Sequence, residues 1–395
     1  MTARLKQLAN LVTAQGNGGT RPFIALENIE GGTGKLATPM DDIPFRDAGD
    51  ASCCIVETGD VLFGKLRPYL AKTWRSDRPI YASTELLALR PTGKAASRWL
   101  SYLMSSSLVV EWAIATSEGT KMPRTNWEKL RTFTLANIPE LDVQEVVADY
   151  LDTETTRIDA IIAKKRRMVQ LIREKQIGEA HRTIAEFAEL DSERGARLKH
   201  VCRIERGRFT HRPRNDPSLY GGDAPFVQTG DVRSADKYIT HFSQTLNDLG
   251  VETSRSFPAG TVLMAIAANV GDVAIATFET WCPDSVVGFL PGPTLDPEFL
   301  YYLLVSLRHR VNETSTENTQ ENTNIVLLSE LPVHLPPLEV QRAAVELLTS
   351  LDEKTGVLET DLNRQVTLLE ERRQALITAA VTGQLDIPEV VHGNH

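Results

Sequence analysis

Apolar residues fall along this chain in two regimes, and each regime occurs twice. Short apolar runs bounded by Gly, Pro and Asp lie at Arg21–Ile29, Asp60–Leu66 and Glu85–Arg90, and again at Ala224–Val232 and Gly260–Ala267. Runs of this length and composition predict β-strands separated by turns. A helix is predicted after each set, at Ser97–Ile114 and at Pro297–Val311. Then the period changes. From Leu141 to about Ala188, Val147, Leu151, Ile158, Ile161, Ile162, Met168, Leu171 and Ile172 recur mostly at spacings of three, four or seven. From Leu338 to about Val381, Ala344, Leu348, Leu351, Leu358, Leu362, Leu369 and Leu376 do the same. A stripe of this kind predicts a long amphipathic helix, and a proline just before each stripe suits a helix start.

The two halves also repeat in letters. Ala3-Arg4-Leu5-Lys6 returns as Ala196-Arg197-Leu198-Lys199, and Pro22-Phe23-Ile24 as Pro225-Phe226-Val227. Gly59-Asp60-Val61-Leu62-Phe63 answers to Gly260-Thr261-Val262-Leu263-Met264, and Leu100-Ser101-Tyr102-Leu103-Met104 to Leu300-Tyr301-Tyr302-Leu303-Leu304. Pro139-Glu140-Leu141-Asp142-Val143-Gln144 matches Pro336-Pro337-Leu338-Glu339-Val340-Gln341. These collinear matches carry shifts of 193, 203, 201, 200 and 197, the trace of a duplication with small loop insertions.

The pattern predicts an α+β fold: two pseudo-repeated globular α/β domains joined by two long helices that form an antiparallel coiled coil. The first globular domain spans 1–140 and the second 196–335, with a central helix over 141–195 and a C-terminal helix and tail over 336–395. A helix of some 40 residues is roughly 60 Å long, about twice the span of a small domain. One module cannot cover its stripe, so a partner helix is expected; folding back on its own module is the alternative. Leu151, Ile158, Ile161, Leu171, Leu348, Leu351, Leu358 and Leu369 are the candidate partner-binding positions.

Composition places the chain among ordinary globular proteins, with 42% hydrophobic and 24% charged residues. No signal-peptide run is visible in Met1–Gly16, and no stretch approaches a membrane span. Cys53, Cys54, Cys202 and Cys282 form no C-x-x-C spacing, so a reduced, cytoplasmic protein without a zinc site is expected. The net charge of −9 argues against nucleic acid until it is divided. Residues 1–140 carry +3, whereas 196–335 carry −4 and the two helical segments the remaining acid. DNA contact in the second module would therefore rest on local basic clusters.

Several kinds of chemistry are missing. Gly31-Gly32-Thr33-Gly34-Lys35 fails as a phosphate loop, because Ile29 stands where glycine is needed and Leu36 where Ser or Thr is needed. Neither Leu335-Pro336-Pro337-Leu338 nor Asn137-Ile138-Pro139-Glu140 completes the polar-Pro-Pro-aromatic motif of amino-methyltransferases. No G-x-S-x-G or H-E-x-x-H occurs. A chain of this length without such motifs reads as a reader or scaffold, not an enzyme.

What remains is basic and polar. Asp60 to Lys72 is a strand running into a turn that carries Lys65, Arg67, Tyr69 and Lys72 around Pro68. Fixed cations beside an aromatic suit phosphate contact and base-edge readout, and equally a solvated hairpin end. Gly119 to Trp127 is a second such loop presenting Lys121, Arg124 and Asn126, with Trp127 assigned to the core. In the second half Arg203, Arg206, Arg208, His211, Arg212 and Arg214 crowd into twelve residues, and Arg206, Arg208, Arg212 and Arg214 are the candidates for backbone contact. Thr314–Asn324 is polar, and its Asn318, Gln320 and Asn322 suit bidentate pairing with adenine, as does Asn269 in the turn after Met264-Ala265-Ile266.

These residues resemble a known family, the DNA-specificity subunits of type I restriction-modification systems. The resemblance covers nearly the whole chain. It is carried by Phe23–Ile29, Gly59–Lys72, Gly119–Trp127, Leu335–Gln341 opening a helix, and Glu371–Ile377 with Val381-Thr382-Gly383 closing it. The resemblance implies two target-recognition domains, each reading one half of a bipartite, gapped site in double-stranded DNA, with paired helices as spacer. It implies docking of two methyltransferase subunits and, through that core, of restriction/translocase subunits. S-adenosylmethionine, ATP and Mg then belong to those partners; this chain binds no cofactor, metal or membrane and has no catalytic residues. The alternatives are a specificity subunit of another methylation-based defence system and a coiled-coil scaffold that binds only protein.

Overall fold

The apolar runs become strands that are buried on both faces. The computed structural model describes residues 2–14, 19–47, 53–189, 195–267, 270–308 and 323–387. It divides into two compact units, one of Met1–Arg166 with Asn363–His395 and one of Arg167–Leu362.

In the first unit a four-stranded sheet runs Ala9–Leu11, Leu86–Pro91, Val61–Gly64, Thr73–Arg75. A second runs Phe45–Asp47, Thr20–Ile24, Ile80–Ser83, Cys53–Val56. Strand residues alternate between faces, so Val61 and Phe63 pack with Trp99 and Leu100 of the helical layer, while Leu62 and its neighbour Trp74 face Ile24 and Ile80 of the other sheet. The first sheet is thus covered on both faces, which is why Val61-Leu62-Phe63 is continuously apolar.

The second unit repeats this order strand for strand. Its sheets run Cys202–Arg206, Val286–Pro291, Val262–Ala265, Val273–Ala276, and Gln244–Leu246, Tyr220–Phe226, Thr280–Cys282, Arg255–Phe257. Tyr238–Ile239 adds an edge strand to the first of these. Even the short opening strands agree: Ala3 pairs with Leu135 and Ala196 with Val333.

Two predicted elements end sooner than their apolar runs. The expected strands Arg21–Ile29 and Ala224–Val232 stop at Ile24 and Phe226, and a helical turn follows each, Leu26–Asn28 and Thr229–Ser234. The cause is the same in both copies. Asn28 Oδ1 accepts from the Ala25 N–H at 2.8 Å and Asp231 Oδ2 from the Gln228 N–H at 2.8 Å, and such local bonds compete with a strand ladder. The expected helix Ser97–Ile114 is broken into Ser97–Ser105 and Ser107–Ala115 at Ser106, whose ψ of 151° is extended.

The long helices span Leu141–Glu189 and Leu338–Val381. They pair antiparallel within each unit, as the stripe requires. In the first unit Arg166 meets Glu370 at 2.6 Å, and Ile158, Ile162 and Val366 make an apolar seam. In the second unit Arg173 meets Glu359 at 3.1 Å and Gln176 Nε2 reaches Thr355 at 2.5 Å, a polar seam.

Each helix is also clamped to its own module by a buried glutamine. Gln144 Oε1 accepts from the Ala96 N–H at 2.7 Å, and its Nε2 donates to the Lys94 and Pro139 carbonyls, both at 2.9 Å. Gln341 accepts from the Asp296 N–H at 2.9 Å and donates to the Thr294 and Pro336 carbonyls at 2.9 and 2.7 Å. Tyrosines add a second tie: the Tyr102 hydroxyl donates to Asp152 at 2.6 Å, and that of Tyr302 to Asp352 at 2.7 Å. No helix among the described residues is long and apolar enough to cross a membrane. The four cysteines are unbridged; burial pushes the Cys202 thiol up to about 12 and that of Cys54 up as well, so these thiols stay protonated packing groups.

Candidate nucleic-acid interface

The basic turn and the second polar loop of the first module lie side by side, although they are far apart in sequence. The Arg67 N–H donates to the Pro123 carbonyl at 2.8 Å and the Thr125 N–H to the Lys65 carbonyl at 3.0 Å. The turn is tight, with Arg67 and Ala71 in the left-handed region at φ of 50° and 48° and Pro68–Leu70 helical between them. Non-glycine residues there carry backbone strain, which persists only where surroundings hold it.

The side chains divide by role. Arg67, Tyr69 and Lys121 are exposed, and neither cation has a carboxylate partner among the described residues. They are available to an anionic ligand, and phosphate contact needs such cations. Lys65 Nζ instead donates to the Thr84 carbonyl at 2.6 Å and Lys72 Nζ to the Leu26 carbonyl at 2.8 Å, so both hold the module together. Arg124 is exposed but paired with Glu85. Asn126 caps the helix Trp127–Leu130 by accepting from the Lys129 N–H at 3.1 Å, while Trp127 packs against the core. Of the candidates here, the folded chain leaves Arg67, Tyr69 and Lys121 outward and gives Lys65, Lys72 and Asn126 structural partners.

The arginine cluster of the second module is organised by one residue, Asp284. Arg214 Nη2 lies 2.8 Å from both carboxylate oxygens of Asp284, Arg212 Nη2 lies 3.6 Å away, and Arg206 Nε donates to its carbonyl at 2.6 Å. Arg208 is exposed, with Nη2 on the Ser254 carbonyl at 3.1 Å. Beside them the Ser218 N–H and hydroxyl, with His211, hold the Asp216 carboxyl below the usual range. A single carboxylate from a distant part of the module thus pairs with both Arg212 and Arg214, whose side chains stay half-exposed. Asp284 was missed because nothing local marks it. Only the repeat does, since it stands where Thr84 receives Lys65 in the other copy. Asn269, Asn318, Gln320 and Asn322 lie outside the described residues.

The candidate partner-binding stripe also divides. Leu151 and Leu348 are buried in the cores of the first and second modules, so neither is open to another chain. The same cores hold Ile377 and Val381, and Ala180 and Ile184, of the facing long helix, so module and partner helix together cover the first turns of each helix. Ile158 lies in the helix seam with Leu369 half-buried against it. Leu351 is half-buried, and Ile161, Leu171 and Leu358 are exposed.

Residues 195–368 match the family model of the type I restriction modification DNA specificity domain. The chain is 22% identical over 344 residues to the type I restriction enzyme StySPI specificity subunit of Salmonella potsdam, covering 78% of this chain and 71% of that one. It is 25% identical over 139 residues to the type I restriction enzyme MjaIX specificity subunit of Methanocaldococcus jannaschii, 34% of this chain and 32% of the relative. A solved structure from work on complex assembly and conformational transition of the type I R-M system shares the fold, with a TM-score of 0.62 over 98% of both chains at 20% identity. The matched stretch holds the second module and much of the C-terminal helix, and the first module repeats that module strand for strand, so the chain is similar in both halves to the DNA-specificity subunits of type I restriction-modification systems.

Proposed function

We propose that each module reads one half of a bipartite, gapped site in double-stranded DNA. The paired helices set the gap and dock two adenine methyltransferase subunits. The observation that carries this reading is the contrast between frame and loops. Strand order and helix clamps are the same in the two copies. The residues after them are not: a turn with exposed Arg67 and Tyr69 follows Val61–Gly64, whereas buried Ile266 and half-buried Ala267 follow the equivalent Val262–Ala265. A common frame with different outward chemistry suits two readers of different bases.

The helix lengths fit a spacer. At 1.5 Å per residue they are about 74 and 66 Å, and DNA repeats every ~34–36 Å along its axis. In this reading the chain acts without catalytic residues, in the cytoplasm. S-adenosylmethionine, ATP and Mg bind the methyltransferase and restriction/translocase partners. Adenine flipping into a methyltransferase pocket is then the partner's task.

Mapping methylated adenine across the genome with and without this gene tests the proposal. Loss of one bipartite, gapped motif on deletion is expected. An unchanged set of motifs, with the methyltransferase subunit expressed, would overturn it; co-purification with that subunit but no DNA binding would favour a protein scaffold.

A further inference from the structure

Arg373, on the second long helix, is the most enclosed guanidinium among the ion pairs of the first unit, with 7% of its side chain exposed. Its Nε donates to Asp159 Oδ1 of the first helix at 2.9 Å. Its Nη1 and Nη2 donate to the Gly32 and Thr33 carbonyls, both at 2.7 Å. Asp159 Oδ2 accepts in turn from Lys35 Nζ at 2.6 Å. The fork of one arginine therefore joins both helices to the loop Gly31–Lys35, using the planar geometry that only arginine offers.

That loop is in contact with the basic turn. The Gly32 N–H donates to the Ala71 carbonyl at 3.1 Å, and Gly31 bridges to Lys72. A Cβ on Gly31 would stand 2.6 Å from the Leu70 carbonyl oxygen, so loop and turn touch backbone to backbone. Contacts thus run without a break from the helix pair through Gly31–Lys35 to the strained turn that presents Arg67 and Tyr69.

Among the described residues the second unit shows no such device. The helix register of 197 puts Gly356 where Asp159 stands and Gln176 where Arg373 stands. Gln176 bonds to Thr355 and Asp352 on the facing helix and, among the described residues, to no module loop.

We infer that Arg373 and Asp159 are positioning residues for recognition by the first module, holding the Arg67–Tyr69 turn at one place against the helices. This rests on the DNA-reading function proposed above. It makes the two half-sites unequal: the first is read by a turn tied to the spacer, the second by a module without that tie. Discrimination at the first half-site and strictness about gap length then depend on a residue remote from DNA.

The test uses the full chain assembled with its methyltransferase subunits. Duplexes carry the gapped motif found by methylation mapping, with substitutions in either half or a gap altered by one base pair. The first half-site is the one whose recognition Arg67→Ala impairs. Arg373→Gln is expected to weaken binding of the full site by roughly tenfold. It should shrink the penalty for substitutions in the first half-site, leave that for the second unchanged, and relax the gap requirement. Asp159→Asn should give the same one-sided loss, and Arg373→Lys part of it. Equal loss at both half-sites, or an unchanged first-half-site penalty in folded Arg373→Gln protein, overturns the inference. Wild-type assembly that prefers no gapped duplex sinks the DNA-reading function itself, and this inference with it.

Discussion

Where its long helix begins, the first unit buries Gln144 against three backbone groups, and the second unit buries Gln341 against the corresponding three. Just beyond, the two part company. Arg98 in the first unit faces Glu145, Asp149 and Asp152, while its counterpart Glu298 in the second pairs with Lys237. The tyrosine tie shows an intermediate case. Tyr102 meets Asp152 and Thr155, and Tyr302 meets Thr349 and Asp352, so the acid and the hydroxyl have exchanged places one helical turn apart. Buried polar groups that must be satisfied admit one solution and are repeated. Half-exposed ion pairs contribute little and admit many, so they drift in sign.

The sharpest way to break this comparison is at the glutamines. Gln144→Leu leaves the Ala96 N–H and two carbonyls without partners in a buried site, at a cost of about 3 kcal/mol. Gln341→Leu should cost the same in the other unit. The chain forms two compact units and each variant touches one of them, so amide exchange within each module is the measurement. If either variant lowered protection in both units alike, or only one glutamine mattered, the clamps would not be equivalent.

A smaller effect separates the outward residues from the structural ones. Arg67→Ala should weaken DNA binding by about 1–3 kcal/mol if it reads a base edge, or lower the salt slope by about one unit if it meets phosphate. Lys72→Ala should weaken binding less, by loosening the turn, and leave the salt slope unchanged, since its Nζ is engaged by the Leu26 carbonyl. Binding titrations across salt concentration distinguish the two, and an unaffected Arg67→Ala removes that residue from the interface.

The smallest effect is one of pH. Burial alone would raise the Glu298 carboxyl, but the Lys237 ammonium and the Tyr238 hydroxyl outweigh it and hold it below the usual range. A depressed carboxyl contributes stability that is present above its unfolded pKa and lost as pH falls through the folded one. Asp352, pushed up by burial, works in the opposite sense, its contribution fading as pH rises. Acid titration of amide protection in the second unit should therefore flatten in Glu298→Gln. The first unit, with Arg98 charged throughout at that place, has no such contribution from that position; equal flattening there would break the contrast.

Much of the frame was legible in the letters because it is local and periodic. The strand runs, the long stripes and the five collinear repeats need no knowledge of what lies opposite. The Leu-x-x-Gln at each helix start was visible as a match, yet its meaning as a clamp was not, since its partners Lys94–Ala96 and Thr294–Asp296 lie far upstream, before the preceding helical layer. Gly31–Lys35 was legible only as a failed phosphate loop. Its partner Arg373 stands near the opposite end of the chain, and no spacing rule connects them.

By itself, then, the sequence determined that there are two like modules and two long helices, because alternation and helical period are set by the backbone and can be read along the chain. It also determined which stretches are basic. Only the tertiary structure decided which cations face outward, because that depends on the carbonyl or carboxylate that folding brings within hydrogen-bond reach. Lys65, Lys72 and Arg214 found such partners, while Arg67 and Lys121 have no carboxylate partner among the described residues.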